Sequence, residues 1–231
     1  VDPVIVFGEG AAQVGGDHKD TWIRSDQGPR AHGADVLIAC EALPIRQIDS
    51  LMRFSFIGHI PASAAIYSAI LTLVTDRICP GLMTITMSRL VTNWGVTLVD
   101  EGISQNPAAL GQATWDNAFD WNNPLIDTGW AAGLGVGFGA GDFGAPAANF
   151  VIPNAAAANT AFNCDITAGV ALDIINDATQ YGHTLANDIN ALIGFHSSRA
   201  VVVANRWYLT VTYAETPIGA SKIHIPIGIG I

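Results

Sequence analysis

Charge is scarce in this sequence. Only 13% of its 231 residues are charged, ten Lys and Arg against twenty Asp and Glu, and the formal net charge is −10. Ordinary soluble chains carry about 25% charged residues. No run of Lys or Arg occurs, and a protein that grips a phosphate backbone needs a basic stripe to displace counterions, so nucleic acid is not an expected partner. Long apolar runs are missing too. The longest, Pro61 to Val74, is broken by Ser and Thr and too short to span a bilayer, so membrane insertion is not expected. The three cysteines, Cys40, Cys79 and Cys164, are widely spaced and form no C-x-x-C pair. That spacing gives no thiolate metal site and cannot be fully bridged within one chain; buried thiols are expected.

What is present is half apolar. A surface so poor in charge is either covered by Ser, Thr and Asn or buried against neighbours. Strand periodicity dominates from Thr21 onward. Met83, Ile85 and Met87 alternate with Thr84, Thr86 and Ser88, and Trp207, Leu209, Val211 and Tyr213 alternate with Tyr208, Thr210 and Thr212. The stretch AIYSAILTLV fits helix or strand by composition, but its β-branched content and the flanking Pro61 and Pro80 favour strand. One short helix is expected after Thr167, capped by that residue's hydroxyl, with Val170 and Ile174 on its apolar stripe. Residues 102–153 are rich in Gly, Asn, Pro and Trp and read as long loops anchored by aromatic side chains.

Several constellations suggest chemistry. Gly139, Gly141 and Gly144 satisfy G-x-G-x-x-G, but no strand-to-helix context accompanies them and Asp142 places a negative charge where a phosphate would sit. His196 stands beside Ser197 and Ser198, yet adjacent strand residues point to opposite faces and no nucleophile elbow is present. Asp116, Asp120 and Asp127 offer scattered carboxylates, more typical of turns than of a catalytic pair. Such loops also supply oxygen ligands, so a structural calcium stays open although no D-x-D-x-D-G run exists; no other cofactor is expected. Trp94, Trp115, Trp121 and Trp130 fall close together. Trp94 and Trp115 adjoin apparent strands and read as packing pegs. Trp121 and Trp130, flanked by Asn and Gly and accompanied by Asp127, read either as pegs or as an exposed sugar-stacking platform.

The C-terminal SKIHIPIGIGI is a different kind of segment. Ile223, Ile225, Ile227, Ile229 and Ile231 share one face, while Pro226 bars the ribbon from the middle of a sheet. Five isoleucines left in water would forfeit about 1.5–3 kcal/mol each. Two coverings are open: the ribbon docks on its own domain, or it lies as an assembly arm on a neighbouring subunit. The N-terminal VDPVIVFGEG has the same two options.

Taken in order, these residues resemble the DNRLRE-type domain, a β-sandwich related to carbohydrate-binding modules and found in secreted bacterial and phage structural proteins. Asp20-Thr21-Trp22-Ile23 is similar to its opening strand, and Gly33 with Val36-Leu37-Ile38 to the next. The most specific match is LMRFSFIGHIPASAAIYSAILTL, with Arg53, Phe54, Ile60, Pro61, Ala69 and Leu71. Arg89-Leu90 with Trp94, Ala113-Thr114-Trp115, Gly141-Asp142-Phe143, Asp165-Ile166-Thr167, Phe195 with Ser197-Ser198-Arg199, and Leu209 to Tyr213 complete the series. Ala200 departs from the family's acidic position, and the helix lacks the usual tryptophan. The resemblance implies an all-β antiparallel jelly-roll sandwich over residues 20–213 with one short helix; beyond it the terminal residues read as an N-terminal arm at 1–19 and a C-terminal strand or arm at 214–231. On that scaffold the glycines of 133–144 form a compact connection, with Phe138 and Phe143 turned toward the core. The function implied is non-enzymatic: a structural or adhesive component of an extracellular or virion assembly, such as capsid decoration, with protein partners through the isoleucine ribbon. The alternative is a glycan-binding module using Trp121, Trp130 and Asp127.

Overall fold

The computed structural model describes residues 2–8, 18–27, 32, 35, 37–43, 46–56, 58–93, 113, 117–119, 128–129, 131, 138–175 and 181–214. Two antiparallel sheets dominate it. The first has the order β1 (Val4–Gly8), β13 (Tyr208–Ala214), β5 (Ala65–Val74), β10 (Ala161–Asp165). The second runs β12 (Ile193–His196), β3 (Leu37–Leu43), β4 (Arg46–Phe54), β11 (His183–Asn187), β6 (Met83–Leu90), β9 (Phe143–Ile152), and β2 (His18–Arg24) also pairs with β4. A minimal hairpin joins β7 (Asn117–Phe119) to β8 (Thr128–Gly129). With α1 (Thr167–Ile175) as the one α-helix among the described residues, the chain is an all-β sandwich.

The alternation read from the sequence is the reason the sheets face each other. Met83, Ile85 and Met87 are buried from β6, as are Leu209, Val211 and Tyr213 from β13, with Trp207 just ahead of that strand; Leu71 and Leu73 of β5 meet them. A register shift between Met87 and Ser88 breaks the β6 pattern, so Ser88 is buried beside Met87. Phe54 meets Trp207 edge to face at 5.3 Å, and Phe7 meets Phe56 at 5.1 Å. Phe7 belongs to β1, which pairs with β13 of the same chain from Val4↔Thr212 to Gly8↔Tyr208. The N-terminal strand therefore docks on its own domain.

Strand β4 carries β2 along Ile48–Phe54, and its other edge is shared between β3 at Arg46–Ile48 and β11 at Ser50–Met52. The cleft between β3 and β11 is stitched by the Cys40 thiol, which donates to Leu185 O at 3.3 Å, and by Asn187 Nδ2, which donates to Cys40 O at 3.2 Å. All three cysteines are buried and free, as expected. At one corner the two sheets join: Thr75, just past β5, bridges to Phe195 of β12, and Asp76 N–H donates to Gly194 O at 3.0 Å.

Helix α1 forms where the sequence places it, with Val170 and Ile174 buried against the core, but its cap differs from the expected one. Asp165, not Thr167, serves the helix start: its Oδ1 accepts from Thr167 N at 3.0 Å and from the Thr167 hydroxyl at 2.6 Å. The Thr167 hydroxyl oxygen in turn accepts from Ala69 N–H at 2.9 Å, tying α1 to β5. A carboxylate is the stronger acceptor near the positive end of a helix, which frees the hydroxyl for the sheet.

The described part of the glycine run, residues 138–144, closes against the second sheet. Phe138 is buried with Ile23, Leu51, Leu90 and Ala113, and Phe143 packs on that cluster, its ring 5.6 Å from that of Phe138. Asp142 is buried between them. Its Oδ2 accepts from Gly139 N at 2.9 Å, and its Oδ1 accepts from Ala131 N at 2.6 Å and the Thr92 hydroxyl at 2.8 Å. Gly139 N, one of the amides that a phosphate would need, is held by the chain's own carboxylate.

Candidate functional site

Strands β2, β3, β4 and β12 build a groove of about 300 Å³ beside the corner where the sheets join. In β3 the side chains of Ile38 and Cys40 enter the core, so Leu37 and Ala39 face the other way, as Gly194 does between buried Ile193 and Phe195. Leu37, Ala39, Ile48 and Leu192 give the groove an apolar floor. Its rim is Trp22, Asp35 and three arginines, Arg24, Arg46 and Arg77.

Each rim group is held in place. Trp22 Nε1 donates to Asp35 Oδ2 at 2.9 Å, and His32 Nδ1 lies 3.0 Å from the same oxygen. The buried His32 ring stacks on Trp22 with centroids 3.5 Å apart. Arg24 is paired through Nε and Nη2 with Asp26, Arg46 through the same two nitrogens with Glu41, and Arg77 with Asp76. Bidentate pairing of this kind fixes the guanidinium plane. It also holds the Asp26 carboxyl below its ordinary range, chiefly through the Arg24 hydrogen bonds. Gly194 is needed for the third pair, because a Cβ there would stand 2.4 Å from Asp76 Oδ1. The groove thus offers fixed N–H donors, one carboxylate and an indole over an apolar base. Among the described residues its lining contains no hydroxyl, thiol, amine or imidazole.

The other candidates from the sequence fall elsewhere. His196 Nε2 sits 2.9 Å from Asn159 Oδ1, the Ser197 hydroxyl donates to Asp35 O at 2.8 Å, and Ser198 N–H donates to Asp20 Oδ2 at 2.6 Å. These bonds tie β12 and the turn after it to neighbouring segments, and among the described residues they form no nucleophile–base pair. Asp20 also accepts from Trp207 Nε1, so β2, the turn at Ser198 and the residue just ahead of β13 meet at one buried carboxylate, whose pKa burial pushes up. Among the described residues no group of three metal-ligating side chains converges. Trp121, Trp130, Asp127, Trp94, Trp115, Asp116 and Asp120 lie outside the described residues, as do Ile223, Ile225, Ile227, Ile229 and Ile231.

The groove itself escapes a reading by motif, because its residues come from five separate stretches of chain. The available signal is Trp22 followed two residues later by Arg24, which puts an indole and a guanidinium on one side of a strand. No protein-family model matches the chain, and no curated protein matches it. What the fold shows is an antiparallel β-sandwich of generic type.

Proposed function

We propose that this chain is a non-enzymatic adhesive or structural component of an extracellular or virion assembly, on a sandwich of the DNRLRE type, and that its groove holds a surface glycan. The observation that supports recognition over catalysis is the rim of the groove. Three guanidinium groups, each clamped by a carboxylate, stand beside Trp22 over an apolar floor, and Asp35 is held by Trp22 and His32, so the carboxylates at the rim are engaged as structural partners. Glycan-array screening followed by calorimetric titration tests this. Binding that falls about tenfold or more in Trp22→Ala at unchanged melting temperature is the expected result. Loss in Trp121→Ala and Trp130→Ala, with Trp22→Ala unaffected, would move the contact to those tryptophans, and no binding by the wild type would overturn the glycan reading.

A second reading concerns assembly. The five alternating isoleucines from Ile223 to Ile231 favour an arm that joins a neighbouring subunit. Deleting residues 214–231 is expected to reduce oligomer mass in light scattering. An unchanged mass would remove this reading.

A further inference from the structure

Building on the recognition reading above, we infer that the groove selects an uncharged saccharide ring and discriminates against acidic ones. Three arginines suggest an anion site at first sight, but their charges are already answered. Arg24 is joined to Asp26, Arg46 to Glu41 and Arg77 to Asp76, and Asp35 adds a carboxylate to the rim. Asp35 is itself engaged by His32 and Trp22, so no guanidinium charge at the groove is left unanswered, on a chain whose formal net charge is −10. An anionic ligand therefore finds no unanswered cation at the groove and an excess of its own sign across the molecule.

What the arginines keep is direction. A guanidinium carries five N–H groups, and each carboxylate here takes the edge formed by Nε and Nη2. The Nη1 edges stay as fixed donors. Asp35, anchored through Oδ2 by Trp22 and His32, brings an acceptor to the same rim. Hydroxyl groups match such a mixed set because each can both donate and accept, with no charge to desolvate. The Trp22 indole, backed by buried His32, provides an apolar wall for the ring face. A groove of about 300 Å³ accommodates roughly one or two sugar rings.

The test titrates the full chain with neutral gluco-, manno- and galacto-tetrasaccharides and with their uronate counterparts, in low and high sodium chloride. A neutral oligosaccharide is expected to bind with a Kd that moves less than about twofold with salt, and its uronate counterpart about tenfold more weakly or worse. Trp22→Ala and Arg24→Gln are each expected to weaken neutral binding about tenfold, with melting temperatures nearly preserved because both side chains are partly exposed. Tighter, salt-sensitive binding of uronates overturns the charge argument but leaves the recognition reading standing. Neutral binding that ignores both substitutions overturns the assignment to this groove. Failure of every saccharide, acidic and neutral, overturns the recognition reading and this inference together.

Discussion

Arginine and aspartate meet in two regions of this molecule, with opposite consequences. At the groove the Arg24–Asp26 pair sits at the surface: its side chains are 22% and 40% exposed, and pairing holds the carboxyl low. Between the sheets, Arg89 of β6 pairs with Asp173 of α1, which is 2% exposed, and there burial outweighs the arginine and lifts the carboxyl to about 6. His183, fully buried 3.9 Å from the same carboxylate, is pushed down to about 4, and neither of its ring nitrogens has a hydrogen-bond partner. Desolvation, more than the identity of the partner, decides what an ion pair does. Exposed pairs keep their charge and fix geometry, whereas buried ones tie sheets together and make folding sensitive to pH.

Substitutions on either side sharpen this contrast. The largest effect is expected on the buried side, from Trp207→Ala. That change removes a fully buried indole and deprives Asp20 of a donor, so a loss of about 4 kcal/mol or more in denaturant unfolding is expected. A loss under about 1 kcal/mol would mean that the core repacks freely around the site.

Next comes Asp49→Asn. Burial raises the Asp49 carboxyl to about 7, with Gln47 Nε2 as a hydrogen-bond donor at 2.6 Å. The native state therefore holds a proton that the unfolded chain releases near pH 4, and this contribution to stability is lost as pH rises from about 4 to 7, by at most ~4 kcal/mol. His183 works the other way, because its lowered pKa costs stability as pH falls from about 6.5 to 4. Comparing variant with wild type isolates Asp49: the Asn variant gains melting temperature relative to wild type at pH 8 and not at pH 4. A difference that stays constant with pH would show that Asp49 is solvated.

The smallest effect is expected at the groove. Arg24→Gln breaks an exposed pair and should change unfolding free energy by less than about 1 kcal/mol. A larger loss would erase the distinction between the two regions.

Much of the fold was legible because it is written as periodicity. The alternations in β6 and β13 and the Val170–Ile174 stripe of α1 each report a buried face directly. The cap was not legible, since Asp165 and Thr167 are both good acceptors and only the proximity of Ala69 N–H decides between them. The groove was hidden for a related reason: Trp22, Asp35, Arg46, Arg77 and Gly194 converge through strand pairing and the corner at Thr75↔Phe195, and no local pattern encodes that. Trp22 read as a strand residue of the family resemblance, whereas the platform sought at Trp121 and Trp130 falls outside the described residues.

The buried carboxylate of Asp142 also bears on how such chains are recognised. A pattern search would file residues 139–144 with nucleotide-holding turns, since the glycines fall at the right intervals. The resident side chain has already taken the first of their amides, so the turn is a counterfeit, its opening N–H answered by one acid placed three positions after the first glycine.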